Sequence, residues 1–215
     1  MPDWTKSMEQ SFEYYTVEPT TLADVKLLDT VKTASFSRDS ETETLGSATI
    51  DVNNSLGESY IRGYLRTIQN GVTEKFPLGT VLSQTPSSSF NGKVTEVSMD
   101  CYTPLIELKE KKPPLGFTVR KGSNIMQSAY NIVKDNCRVP VGSVTCDVVL
   151  QDNFVANTDD TYLSFVISLI ANANYELALE EKAEFCSIPY KNWRRYSRFG
   201  RSTTIIAPYY FPTSP

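Results

Sequence analysis

Asn70-Gly71 stands between two long extended runs, and that pair constrains the fold more than any other stretch of the chain. A tight two-residue hairpin turn needs positive φ at its central residues. Asn and Gly tolerate this best, so the pair predicts two adjacent antiparallel strands. The run before it is Tyr60-Ile61-Arg62-Gly63-Tyr64-Leu65-Arg66-Thr67-Ile68, closed by Gln69, and the run after it includes Phe76-Pro77-Leu78-Gly79-Thr80-Val81-Leu82. Upstream, Ala34 to Arg38 alternates. Ser47 to Val52 places Ala48, Ile50 and Val52 on one face, with Asn53, Asn54 and Gly57 supplying a turn. Downstream, a polar Ser/Pro loop is expected from Gln84 to Ser89, then a strand within Lys93 to Met99 carrying Val94, Val97 and Met99. Short strands at intervals of about 8–12 residues, separated by turns, favour a closed or sandwiched antiparallel sheet.

The pattern changes at Lys111-Lys112-Pro113-Pro114, where two prolines can continue neither a helix nor a central strand. Beyond this boundary Ser123-Asn124 predicts a helix start. Ile125, Ala129, Ile132 and Val133 then form one apolar stripe, giving a helix to about Asn136. A second helix, capped by Asp159 or Asp160, is predicted through Leu163, Val166, Leu169, Ile170 and Ala173. The stretch Asn172 to Leu179 then reads as a strand. No repeat of 20–50 residues is visible. The chain is thus expected to be α+β, mainly β.

The same residues argue against catalysis. The chain has no histidine, which removes the commonest general base and metal ligand together. Cys101, Cys137, Cys146 and Cys186 show no CxxC spacing and read as free thiols in a reducing compartment. GxSxG, P-loop and GxGxxG signatures are missing from the sequence. Asp159-Asp160 could be paired acids, but a place at the start of an apolar helical stripe favours capping. The acidic and amide residues of Asp51 to Glu58 lack EF-hand spacing. No cofactor is expected, and the protein is read as a non-enzyme. No apolar run approaches the roughly 20 residues needed to cross a bilayer. Met1 to Ser11 lacks the apolar core of a secretory signal, so synthesis in the cytoplasm is expected. The 12 tyrosines then read as packing or contact surface. Tyr60, Tyr64 and Leu65 are the interface candidates.

An ordered set of segments resembles the N-terminal part of tail hub proteins of double-stranded DNA phages. It begins with the run Ala34 to Asp51, then Phe76-Pro77-Leu78-Gly79-Thr80 with Gln84-Thr85-Pro86, and Asp100-Cys101-Tyr102-Thr103-Pro104-Leu105-Ile106-Glu107-Leu108. It continues with Lys121-Gly122-Ser123-Asn124-Ile125, then Asp159-Asp160-Thr161-Tyr162-Leu163-Ser164-Phe165 through Leu169-Ile170-Ala171-Asn172-Ala173. The resemblance implies a tail-tube-like antiparallel β-barrel followed by a small mixed α+β module. It further implies a homotrimeric hub ring joining the tail tube to the baseplate or tail tip. In such a ring three subunits with two barrels each match a six-fold tube. The partners implied are other copies, the tail tube, and distal tail or baseplate proteins, with no membrane. DNA would pass through the lumen without specific binding. The location implied is the virion tail, after synthesis in the host cytoplasm.

On this reading residues 1–25 are an N-terminal extension, 26–111 the barrel module, 112–182 the α+β module, and 183–215 a basic tail. The last segment departs from the family. Residues 185–215 hold Lys191, Arg194, Arg195, Arg198 and Arg201 and no acid; removing these five charges from the total of −4 leaves −9 on residues 1–184. Back-translated with permissible codons and read in another frame, Pro189 to Pro215 yields an acid-balanced, hub-like stretch. A reading-frame change near residue 182 is one account of this segment. The rival account is a nucleic-acid-binding protein that grips phosphates with the basic tail. A carbohydrate-binding or hydrolytic tail-tip protein is a third reading, which requires exposed acids and aromatics in one groove.

Overall fold

The computed structural model describes residues 2–40, 42–53, 56–90, 92, 95–142 and 146–179, and the backbone of 185–189; at Thr85, too, only the backbone is described. Its main sheet is built from β1 (Glu9–Glu18), β2 (Ala23–Leu27), β3 (Val31–Ser37), β4 (Ser47–Val52), β5 (Tyr60–Gln69), β6 (Val72–Phe90) and β7 (Thr95–Tyr102). The strand order is β2-β1-β5-β6-β7-β4-β3, antiparallel throughout. Asn70 and Gly71 join β5 to β6 at φ of 52° and 78°, the left-handed pair the turn requires. Residues 1–25, read as an extension, hold β1 and the start of β2. The stretch Gln84–Ser89 is strand, not loop. It pairs with β7 as far as Phe90↔Thr95, and a bulge between Gln84 and Pro86 accommodates the proline.

The expected tail-tube-like barrel does not form. The sheet is open, with β2 and β3 at its two ends and no ladder between them. Each edge strand carries an irregularity, at Val25 on β2 and Lys32 on β3, where pairing with the inner neighbour shifts by one residue. Bulges of this kind twist an edge away from a would-be partner, which works against a ladder between β2 and β3. The β3 end instead turns back across the face of the sheet. The Phe36 ring stacks on Tyr14 at 6.4 Å between centroids and 4° between planes, lying over Gly63. A Cβ added at Gly63 would sit 2.9 Å from Cε2 and Cζ of Phe36, so the missing side chain is what lets the ring in. Under this fold-over lies a core of Leu28, Ala48, Ile50, Val52, Ile61, Val81, Val97, Met99 and Cys101.

The remaining chain forms α1 (Ile106–Lys109), β8 (Thr118–Val119), α2 (Ile125–Asn136), β9 (Phe154–Val155), α3 (Tyr162–Ala171), β10 (Tyr175–Leu179) and β11 (Phe185–Pro189). The Asn124 side chain caps α2 by accepting from the Gln127 amide, as its sequence predicts. For α3 the cap is Thr161, one residue past the predicted aspartates. Thr161 and Ser164 form a reciprocal capping box, while Asp160 accepts from the Asn157 amide at 2.7 Å. Ile125, Ala129, Ile132 and Val133 of α2 and Leu163, Phe165, Val166, Leu169 and Ile170 of α3 are buried in a second core. Val17, Tyr60 and Leu82 of the sheet belong to it too. Sheet and helices therefore share hydrophobic contacts directly. Among the described residues, no helix is long and apolar enough to cross a membrane.

Candidate assembly surface

The three candidate residues lie on β5, whose side chains alternate between the two sheet faces. Tyr60, Arg62 and Tyr64 point to the face that packs on the helices near Val17 and Leu82. Ile61, Gly63 and Leu65 point to the face folded over by β3. Tyr60 is 3% exposed, with its hydroxyl donating to Glu107 Oε1 at 2.7 Å. Burial and that carboxylate push the phenol well above its ordinary value. Its side chain is therefore interior and presents no surface to a neighbour. Tyr64 and Leu65 are both half-buried and, being sequence neighbours on a strand, serve opposite faces.

On the helix-side face a polar cluster surrounds Tyr64. Arg62 is buried, and its guanidinium donates to Asp24 Oδ1 at 2.9 Å, to the Leu22 carbonyl at 2.9 Å and to Thr80 Oγ1 at 2.8 Å. Such a buried cation is tolerable only because acceptors surround it. The arrangement ties the start of β2 to β5 and β6. The Tyr64 hydroxyl donates to Asp24 Oδ2 at 2.7 Å. Tyr15 meets Tyr64 edge-on at 5.7 Å, and the Lys75 ammonium lies 5.1 Å from the Tyr15 ring centroid. Lys75 also pairs with Glu13 at 2.5 Å. That hydrogen bond holds the Glu13 carboxyl below its ordinary range and raises the Lys75 ammonium.

The opposite face carries the apolar surface. Leu65 is flanked across the ladder by Phe12 on β1 and Phe76 on β6, so the three side chains form one row. Trp4 tilts onto Phe76 at 5.6 Å between centroids, held there by the Gln69 amide, which bonds both the N–H and the carbonyl of Asp3. Phe12 remains 59% exposed and Trp4 49%. Aromatics left open in this way are the residues that dominate contact energies at interfaces. Trp4, Phe12 and Phe76 did not figure among the sequence candidates. The alternation of Phe12 and Tyr14 within Glu9–Glu18 was the available signal.

At the joint between sheet and helices, Glu107 of α1 accepts from Tyr60, from the Arg138 amide at 2.9 Å and from Arg138 Nε at 2.5 Å, while Arg138 Nη2 reaches Glu58 at 2.5 Å. This acid is occupied by donors, as are Asp24 and Glu13. Among the described residues no His/Cys/Asp/Glu group is placed to hold a metal ion. Cys101, Cys137 and Cys146 are free thiols, and burial pushes the first two up to about 12. The arginines and lysine of the basic segment, Lys191 to Arg201, and the proposed frame change near residue 182 lie outside the described residues.

No family model matches the sequence, and no curated protein does. Solved structures do match. A tail protein from Neisseria meningitidis MC58 superposes with a TM-score of 0.61 at 9% identity, over 83% of this chain and 51% of that one. The 43 kDa tail protein of prophage MuSo2 from Shewanella oneidensis gives 0.60 at 10% identity, over 84% and 56%. The chain spans about half the length of either structure. Across that span it shares the fold of these two tail proteins.

Proposed function

We propose that this chain is a structural component of a phage-type tail, a hub subunit that assembles as a ring of three. The ring would join the tail tube to the baseplate or tail tip and sit in the virion tail. The observation that carries the reading is the open apolar row Phe12–Leu65–Phe76 with Trp4, displayed on a fold shared with phage tail proteins. A subunit that works by contact needs such a surface, and a row of aromatics is suited to it. Tyr64 lies on the other face of the same strand and would serve a second neighbour. The −9 charge of residues 1–184 suits a lumen through which DNA slides without being held.

Native mass measurement and sedimentation of the purified chain test this. A trimer is expected, and Leu65→Glu is expected to abolish it with an unchanged circular dichroism spectrum. A wild-type chain that stays monomeric at high concentration, or a trimer indifferent to Leu65→Glu and Tyr64→Ala, overturns the reading.

A further inference from the structure

One end of the apolar row is covered by the chain itself, and the other end is bare. Residues 3–7 precede β1, which enters the sheet at the pair Glu9↔Ile68. They form a small self-bonded turn. The Asp3 carboxylate accepts from the Thr5 amide at 3.1 Å and the Thr5 hydroxyl at 2.6 Å, and it pairs with Lys6 at 3.3 Å. The Lys6 amide donates back to the Asp3 carbonyl at 3.0 Å. Gln69 and Phe76 tie this turn to the sheet. The Gln69 side chain accepts from the Asp3 amide at 2.7 Å and donates to the Asp3 and Ser7 carbonyls at 3.0 and 3.4 Å. The Trp4 ring rests on Phe76. Thr67, between Leu65 and Gln69 on the same face, is buried, as fits a residue beneath the turn. Phe12, at the far end of the row, is left open.

We infer that residues 3–7 are a displaceable strap, which keeps Phe76 covered in the free subunit and lifts when a neighbouring copy docks on the row. The inference rests on the ring reading for its partner. The hydrogen bonds to Gln69 all lie at the exposed surface, where water takes the place of a lost partner at little cost. The bonds among Asp3, Thr5 and Lys6 run within the turn, so it can leave as a unit and keep them. The Trp4–Phe76 contact is itself half open to water. The strap also stands in a partner's way. Phe12, Leu65 and Phe76 lie level on one sheet face, whereas Trp4 sits a ring's height above Phe76, tilted by 54°. A flat surface settling on Phe12 and Leu65 meets Trp4 before it reaches Phe76. Lifting the strap levels the row and adds the Phe76 ring to the contact, where an aromatic contributes most. The strap therefore opposes assembly.

Unhooking the strap tests this. Gln69→Ala removes the bonds to Asp3 and Ser7, and tryptic cleavage after Lys6, read by mass, is expected to speed up about tenfold, since such cleavage follows the population of the opened segment. Binding of the apolar dye ANS should rise with it. Sedimentation of Gln69→Ala, and of Trp4→Ala with Gln69 intact, is expected to show trimers forming at about threefold lower concentration or less, because a covered row reduces apparent affinity by its open fraction. Phe76→Ala added to either variant should cancel that gain. Cleavage and dye binding that do not change in Gln69→Ala overturn the inference. So does Trp4→Ala that leaves trimer formation unmoved or weakens it, since Trp4 would then be a contact and not a cover. Cleavage and dye binding that rise in chains that never trimerise overturn the ring reading and support the strap's displacement, so the two failures are separately visible.

Discussion

Replacing Gly63 by alanine tests whether the sheet really turns back on itself. The new methyl would lie 2.9 Å from two ring carbons of Phe36, against the 3.5–4.0 Å or so at which carbon atoms attract. The ring cannot simply step aside, because Tyr14 stacks on it and a Cβ at Gly79 would already be within 3.9 Å of its Cδ1. Forcing one extra carbon into such a slot costs about 1–3 kcal/mol, offset by about 0.4–1 kcal/mol from the stiffer unfolded chain. Gly63→Ala should therefore lose about 1–2 kcal/mol in urea unfolding. Phe36→Leu, which empties part of the slot, should make the same Gly63→Ala change nearly neutral, a coupling of about 1 kcal/mol in the double-mutant cycle. Gly57→Ala is the internal control, since an added Cβ there meets nothing within 4 Å. Gly63→Ala matching or exceeding wild-type stability, or strict additivity with Phe36→Leu, would refute the fold-over.

Three further outcomes follow from the charged and thiol groups. Glu107→Ala leaves the Tyr60 hydroxyl and the Arg138 amide without their acceptor, and chemical denaturation should register a loss of about 2–4 kcal/mol, with Glu107→Gln losing less. Glu13 has its carboxyl held below 4.5 by Lys75, so the pair stabilises the folded chain above that pH and the benefit fades as pH falls through the lowered value. Because both groups are partly exposed, Glu13→Gln should cost about 1 kcal/mol or less at pH 7, and nothing once the pH is low enough to protonate both states. A thiol reagent at pH 8 should leave Cys101 and Cys137 unmodified until the protein unfolds, as peptide mapping by mass will show.

The local architecture was legible wherever one chemical demand dominates. Asn70-Gly71 marked its hairpin because few residue pairs accept that turn, and Asn124 marked the start of α2 because its side chain satisfies an otherwise bare amide. Ser87–Ser89 misled for the opposite reason. Serines carry no preference for strands, and only the ladder to β7 holds them extended. Closure of the sheet could not be read, since alternation is the same in a barrel and an open sheet. Whether the end strands can meet depends on edge detail such as the single bulges at Val25 and Lys32, which alternation does not reveal. Alternation also announced that Tyr60 and Tyr64 share a face without saying that the helices cover Tyr60 alone. The apolar row was missed because its members come from two stretches far apart in the chain, Trp4 with Phe12 and Leu65 with Phe76, brought together by the β1–β5 register and the Gln69–Asp3 bonds.

That same register has a consequence for how the molecule comes into being. The meander β5–β6–β7 joins sequence neighbours and can form as soon as it is synthesised. The ladders β1–β5 and β4–β7 instead close loops of several tens of residues on either side of it. Strand β1, made before β5, must wait for it, with Phe12, Tyr14 and Tyr15 bare in the interval. Birth order and pairing order run against each other, so it is the nascent β1–β2 hairpin that most needs shelter from its own kind.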